Sequence, residues 1–191
     1  ESPWTTTPVT SELRRRLPVT AEFGLIAILI GLCVSLPIGV LSAIRQDTIS
    51  DYLARSFAIL ALSVPYFFSA TIIIVFGPKW GWTPPLIYKG WGEGPFSHLY
   101  YFLAPATLLG LSLAGGVMRL TRTMMLEVLR QDYIRTAWAK GLRERSVIFR
   151  HAMKNALIPV ITIVGLQVGT AVSGTIILET IFNMPGVGRF F

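Results

Sequence analysis

The chain has 191 residues, of which 52% are hydrophobic and 14% charged, and its 17 basic and 10 acidic residues give a formal net charge of +7. A mean hydropathy of +0.59 is typical of a polytopic membrane protein and argues against a large soluble domain, which would need polar helix faces along most of the chain. The single cysteine, Cys33, excludes an internal disulfide and a metal site built from thiols.

Four uncharged runs, 23–44, 56–78, 94–118 and 155–178, follow one another along the chain. Each is long enough to cross a bilayer, since about 20 apolar residues in a helix cover a hydrocarbon core of about 30 Å. The third run opens with loop-forming residues, so its helix is expected to begin near Tyr101. The sequence therefore predicts an all-α, polytopic membrane protein with spanning helices at 20–44, 56–77, 101–118 and 157–179.

The basic residues set the expected orientation. Nine of the 17 lie in 119–156, against three acidic residues. Short loops rich in Lys and Arg stay in the cytoplasm, so this loop is predicted inside, as is the link 45–55. The segment 1–19 and the segment 77–100 are then external, although Arg14, Arg15 and Arg16 oppose the rule.

The basic loop carries signals for short helices. The helix of the third span is predicted to continue to Arg130 and to protrude into the cytoplasm. Asp132 is a candidate N-cap and Gly141 a candidate C-terminal stop for a helix over 133–140, and Ser146 is a candidate cap for the next one.

Ile134, Ala137 and Trp138 are predicted to share one face of the short helix. An apolar face among basic residues fits a groove on another protein. Attraction to anionic lipid headgroups explains the charge equally well, so membrane lipids are also expected partners.

Small residues recur every four positions in the last span, at Gly165, Gly169 and Ser173, a pattern that allows close helix packing. Glu179 lies at the edge of that span. It is a candidate for orienting the loop 182–189, for an external gate, or for an ordinary edge carboxylate.

Several classes of function are disfavoured by what the chain lacks. Carboxylates deep in the spans, which ion-coupled carriers use, are absent. No Gly-Lys pair occurs, so no phosphate-binding P-loop is expected, and no catalytic residue or metal site is predicted. The two histidines, His98 and His151, are predicted on opposite sides of the membrane. No recognised nucleic-acid-binding module is present.

The order of residues in the loop is the most specific signal. The segments 132–142 (DYIRTAWAKGL) and 150–160 (RHAMKNALIPV) strongly resemble the cytoplasmic loop of ABC importer permeases of the dipeptide/oligopeptide/nickel class. The similarity extends to 16–20 (RLPVT), 62–65 (LSVP), 165–167 (GLQ), 179–182 (ETIF) and 185–189 (PGVGR), and it is closest to the B-type subunit.

The resemblance implies a type I ABC importer permease fold with six membrane helices, so that this chain would be the middle four and incomplete at both ends. It implies a homologous second permease, two cytoplasmic ATPase subunits that bind ATP and Mg, and an extracytoplasmic substrate-binding protein, in a bacterial or archaeal inner membrane. No cofactor is expected in this chain itself.

The short helix of the loop would couple the ATPases to the pathway. Carried over by resemblance, the coupling residues are Asp132, Arg135, Thr136, Ala137, Trp138, Lys140, Gly141 and Leu142. The general importer loop has Glu-Ala-Ala where this chain has Arg135-Thr136-Ala137, a departure that favours the peptide class over sugar or amino-acid permeases. Short peptides are the expected cargo. A nickel-chelate or glutathione-like solute, an ion-coupled carrier or channel, and a non-transporting scaffold are the alternatives.

Overall fold

The computed structural model of the chain describes residues 9–83, 85, 87–88 and 90–189. Within these residues every regular element is helical, which confirms the all-α prediction. The α-helices are α1 (Val9–Ile44), α2 (Ile49–Ser63), α3 (Tyr66–Phe76), α4 (Pro95–Leu129), α5 (Asp132–Ala139), α6 (Glu144–Ser146) and α7 (Met153–Ile181), and a π-helical segment, Val147–Ala152, joins the last two. Short 3₁₀ turns lie at Gly77–Trp80, Trp91–Glu93 and Val187–Arg189.

Three helical stretches are long and apolar enough to cross a membrane: Thr10–Ile44, Pro95–Leu129 and Glu144–Ile181. The pair formed by Ile49–Ser63 and Tyr66–Trp80 adds a fourth if the two are one broken span.

The helices differ from the predicted spans in three places. The third spanning helix begins at Pro95 rather than near Tyr101, because proline suits the first helical turn, where its missing N–H has no intrahelical partner. The predicted span 56–77 is broken, because Pro65 has extended geometry (φ −62°, ψ 130°) and proline disfavours helical backbone in the residue before it. Helix α1 already begins at Val9, within the predicted external segment 1–19, whose first eight residues lie outside the described ones.

The chain forms two compact units. Unit 1 comprises Glu1–Ile30, Val64–Gly110 and Val168–Phe191, and unit 2 comprises Gly31–Ser63 and Leu111–Gln167. Each of α1, α4 and α7 contributes residues to both units. The units are described separately below.

Unit 1 is built around aromatic side chains. Phe23 of α1 and Phe102 of α4 are fully buried, with ring centroids 6.3 Å apart. Phe182 and Met184, which follow α7, are buried as well, so the chain after α7 folds back into the unit. Tyr101 donates a hydrogen bond to the backbone oxygen of Asn183 (3.2 Å) and fixes this segment.

An imidazole is enclosed in the same unit. His98 is fully buried, its Nε2 lies 3.0 Å from Glu22 Oε1, and the centroid of the Trp91 ring lies 4.4 Å from that of His98. Tyr88 packs edge-on against His98, and burial, with the nearby Glu22 carboxylate, raises the pKa of the Tyr88 phenol. These contacts tie the segment before α4 to α1.

Unit 2 depends on close approach of its helices to α4. A Cβ added to Gly39 of α1 would lie 2.9 Å from the backbone oxygen of Met118, and a Cβ added to Gly115 would lie 2.9 Å from the backbone oxygen of Ala58 in α2. Neither position can accept a larger residue without moving a helix.

We expect Gly115→Ala to destabilise the protein by about 1–3 kcal/mol, the usual cost of forcing an extra methyl group into a packed interface. Gly116→Ala is the matched control, because a Cβ there would meet its nearest neighbour at 3.7 Å. The measurement is the apparent melting temperature of the purified protein in detergent. Equal melting temperatures for the two variants would contradict the close packing of α2 on α4.

Candidate functional site

The short helix α5 lies in the predicted coupling loop and runs from Asp132 to Ala139. Its N-cap is Gln131, so the prediction that Asp132 is the N-cap was wrong by one residue. Asp132 has helical geometry in the first turn, where a negative charge interacts favourably with the helix dipole. Its carboxylate lies 3.5 Å from Arg135 Nη1, and both side chains are exposed.

Gly141 stops α5, as predicted. It has a φ of 74°, which favours glycine, and its N–H donates to the backbone oxygen of Trp138 (2.9 Å). The N–H of Leu142 donates to the backbone oxygen of Ala137 (3.3 Å), which completes a Schellman motif. The last helical residue is Ala139 with Lys140 as the C-cap, so the predicted range 133–140 is displaced by one residue.

Two side chains anchor α5 in unit 2. Ile134 is fully buried and Ala137 is 6% exposed. They belong to one apolar cluster with residues from α1, α4, the π-helical segment and α7: Val40, Ala43, Met125, Val147, Ile148, Ala152 and Ala156. The hydroxyl of Tyr133 also accepts a hydrogen bond from Asn155 Nδ2 of α7 (2.8 Å). A displacement of α5 would therefore act on α1, α4 and α7.

The other side chains of α5 are exposed. The remaining residues carried over as coupling residues are all exposed: Asp132, Arg135, Thr136, Trp138, Lys140, Gly141 and Leu142. Trp138, which was predicted to share one face with Ile134 and Ala137, is 45% exposed, whereas those two side chains are buried. Four residues place it about 40° around the helix from Ile134, and its large indole extends past the edge of the buried face.

The chain after α5 also differs from the expectation. Ser146 does not cap a helix, because its backbone is already helical (φ −68°, ψ −44°) and its side chain makes no capping bond. Arg143 is the N-cap of α6 instead. The π-helical turn Val147–Ala152 follows, and such wide turns occur often at functional sites. It turns Val147, Ile148 and Ala152 into the cluster that holds α5.

A buried ion pair beside this cluster was missed by the sequence reasoning. Asp51 of α2 is fully buried, and Arg122 of α4 donates two hydrogen bonds to its carboxylate, Nε to Oδ1 and Nη2 to Oδ2, each of 2.8 Å. Asp51 also accepts hydrogen bonds from the hydroxyl of Ser42 and the N–H of Asp47. The one available signal was an acidic residue five positions before the long uncharged run 56–78.

The structure shows no close packing at the two glycines of α7 within the described part of the chain. Gly165, Gly169 and Ser173 are exposed, and no atom of the other described elements lies within 4 Å of a Cβ built on either glycine. A helix-packing role for them stays a prediction.

Glu179 has a defined place in unit 1. It is fully buried, accepts hydrogen bonds from the hydroxyl of Thr20 (2.6 Å) and the N–H of Gly188 (2.7 Å), and its carboxyl fills the space of a Cβ at Gly186. The Thr20 hydroxyl in turn accepts a bond from the N–H of Val187 (2.9 Å). Glu179 therefore holds the segment that follows α7, whereas a gating role stays a prediction.

Comparison with known proteins gives a family match. The family model described as "Binding-protein-dependent transport system inner membrane component" matches residues 35–191. The oligopeptide transport system permease protein AppB of Bacillus subtilis is 38% identical over 97% of this chain and 60% of its own length. The dipeptide transport system permease protein DppB of Escherichia coli K12 is 37% identical over 96% of this chain and 61% of its own length. The chain thus spans about three fifths of these relatives.

A solved structure has the same fold. The crystal structure of an amino acid ABC transporter with histidines aligns with a TM-score of 0.72 at 14% identity, over 95% of this chain and 76% of that chain. At this identity the similarity concerns the fold alone, and it confirms the predicted permease-type helical architecture.

We expect Glu179→Gln to weaken the attachment of the segment after α7, because one carboxylate oxygen is replaced by an NH₂ group that cannot accept a hydrogen bond. A hydrogen bond to a charged group contributes about 1.5–3 kcal/mol, so the amides of Val187 and Gly188 should exchange hydrogen about tenfold faster or more. Hydrogen exchange measured by mass spectrometry on the peptide 182–189 checks this. Glu12→Gln, which removes a carboxylate that pairs with Arg16 instead, serves as the control. Unchanged exchange in Glu179→Gln would contradict the assigned role.

Proposed function

The chain belongs to the family of binding-protein-dependent transport system inner membrane components, and we propose that it is a permease subunit of an ATP-driven importer of short peptides. In this proposal a binding protein delivers the peptide from outside the cell membrane. Partner chains bind and hydrolyse ATP with Mg, and this chain forms part of the pathway.

The observation that carries the proposal is the geometry of α5. A helix of eight residues is anchored by the buried side chains of Ile134 and Ala137, while Arg135 and Trp138, one turn apart, form an exposed face that is open to a partner. Aromatic and arginine side chains that project from a fixed support are the residues that dominate binding at protein interfaces. We infer that this face binds one of the two ATPase subunits.

The peptide cargo rests on the relatives. AppB and DppB are named as oligopeptide and dipeptide permeases, and the chain is more than one third identical to each. A nickel-chelate or glutathione-like solute is the alternative within the same class. Transport assays that offer each solute with its own binding protein distinguish these cargoes.

The other proposed partners follow from the same family. A second, homologous permease would complete the pathway, and the exposed small residues Gly169 and Ser173 of unit 1 offer a surface on which a helix could pack closely. The proposed location is the inner membrane of a bacterium or archaeon, with residues 119–156 in the cytoplasm. The basic residues of this loop can also contact anionic lipids, and the proposal includes no nucleic-acid partner.

Reconstitution tests the function. The full-length protein with its second permease and two ATPases, placed in liposomes with the binding protein, is expected to take up a labelled dipeptide when ATP is supplied to the ATPase side. Uptake driven by an ion gradient without ATP would instead support a secondary carrier. Loss of uptake without the binding protein would support the delivery step.

We expect Trp138→Ala to weaken association with the ATPase subunit about tenfold or more, because truncating an aromatic side chain at the centre of an interface costs about 2 kcal/mol or more. Trp80→Ala removes a more exposed Trp, 68% against 45% for Trp138, from the predicted external segment and is the control. Copurification and the ATPase rate of the complex are the measurements. Equal association of both variants with the ATPases would contradict the assignment of this face.

Sidedness is a separate expectation. In a Cys33→Ser background, a cysteine introduced by Trp138→Cys should react with a membrane-impermeant maleimide in inverted vesicles and not in intact cells. Labelling in intact cells would place α5 outside and would exclude a coupling role.

A further inference from the structure

The ion pair between Asp51 and Arg122 has no role in the function proposed so far. Its carboxylate is fully buried, and four groups from three helices and one turn surround it: Arg122 of α4, Ser42 of α1, Arg55 of α2 and the backbone N–H of Asp47. The two bonds from Arg122 are parallel, a geometry that fixes direction as well as distance. Asp51 therefore determines how α2 is placed relative to α4 within unit 2.

Away from the ion pair, alanines and a glycine make up most of the contact between α2 and α4, together with Met118 and Leu62. Ala54 and Ala58 of α2 lie against Met118, and Gly115 faces the backbone of Ala58. Such surfaces let two helices approach closely but present few side chains that interlock. The pair between Asp51 and Arg122 is thus the directional restraint in this interface.

Two of the helices that bind Asp51, α1 and α4, also contact α5. Met125 lies one turn after Arg122 on α4, and Ala43 follows Ser42 on α1. Both Met125 and Ala43 belong to the cluster that buries Ile134 and Ala137 of α5. A force on α5 therefore reaches α1 and α4 through apolar contacts, and it reaches α2 through the carboxylate of Asp51.

We propose that Asp51 and Arg122 are positioning residues that transmit movement of α5 to α2 and so couple ATP hydrolysis by the partner to opening of the pathway. This inference rests on the proposed function as an ATP-driven importer. It assigns to the pair a role in coupling beyond holding the fold together.

The test uses a variant that removes both charges, Asp51→Asn with Arg122→Gln. Loss of only one partner would leave an uncompensated buried charge and disturb folding, whereas joint removal of a buried ion pair is often tolerated. Asn and Gln can still exchange neutral hydrogen bonds, so the complex is expected to assemble. The readout is the amount of dipeptide taken up per ATP hydrolysed in reconstituted liposomes.

We expect this variant to assemble with both ATPases and to keep an ATPase rate within about twofold of wild type. Uptake per ATP should fall about fivefold or more, the lower end of the usual range of coupling between two sites. The matched control is Glu127→Gln with Arg119→Gln, which removes one negative and one positive charge from exposed side chains of α4 outside the Asp51 site and should leave the ratio unchanged.

A neutral variant that assembles and transports with the wild-type ratio would overturn the proposal and leave the pair a structural role. If the neutral variant does not assemble, Arg122→Lys is the second test variant. It keeps the positive charge but cannot make the two parallel hydrogen bonds to Asp51. A reduced uptake per ATP in the assembled Arg122→Lys complex supports the proposal, and an unchanged ratio overturns it. Absence of ATP-driven uptake by the wild-type complex would instead refute the importer function.

Discussion

The burial of Ile134 and Ala137 is the constraint on which the loop between α4 and α7 depends. A helix of eight residues is too short to be stable alone in water, so packing must hold it in place. Because these two side chains are buried, α5 is held in place while exposed side chains such as Arg135 and Trp138 remain available to a partner. The residues of the cluster come from α1, α4, the π-helical segment and α7 as well as from α5. A movement of α5 therefore also changes its contacts with α1, α4 and α7. A partner that displaces α5 would thus act on three long helices at once.

Much of this architecture is predictable from the sequence, because hydrophobic length and charge asymmetry are local properties. The uncharged runs indicate the spans, Gly141 indicates the end of α5, and the basic residues indicate a loop that extends beyond the membrane. The boundaries that differ have equally local causes. Gly94 and Pro95 suit a turn or a helix start, and the geometry around Pro65 decides whether a run of apolar residues is one helix or two. Residue identity leaves both outcomes open, and the packing around each site selects one.

The pair between Asp51 and Arg122 could not be predicted in this way. The two residues are 71 positions apart, and each has an ordinary local explanation, since Asp51 lies in a charged link and Arg122 in a basic loop. Their pairing follows from the approach of α2 to α4, which in turn depends on Gly115 and Ala58. The same holds for Glu179, whose contact with Thr20 joins residues 159 positions apart. Long-range polar contacts are a product of the fold and carry no periodic signal in the sequence.

The two buried carboxylates also bear on the source of energy. A carboxylate that couples transport to an ion gradient must exchange its proton or ion during each cycle, so it needs access to water or to the ion. Asp51 and Glu179 instead accept hydrogen bonds on both carboxylate oxygens from groups of this chain: a guanidinium, hydroxyls and backbone N–H groups. A carboxylate bonded on both oxygens is suited to hold elements in place, because each oxygen is already occupied by a donor from another part of the fold. Carboxylates held in this way suit a transporter that is moved by a partner chain. They suit less well a transporter that is driven by proton or ion exchange at its own side chains.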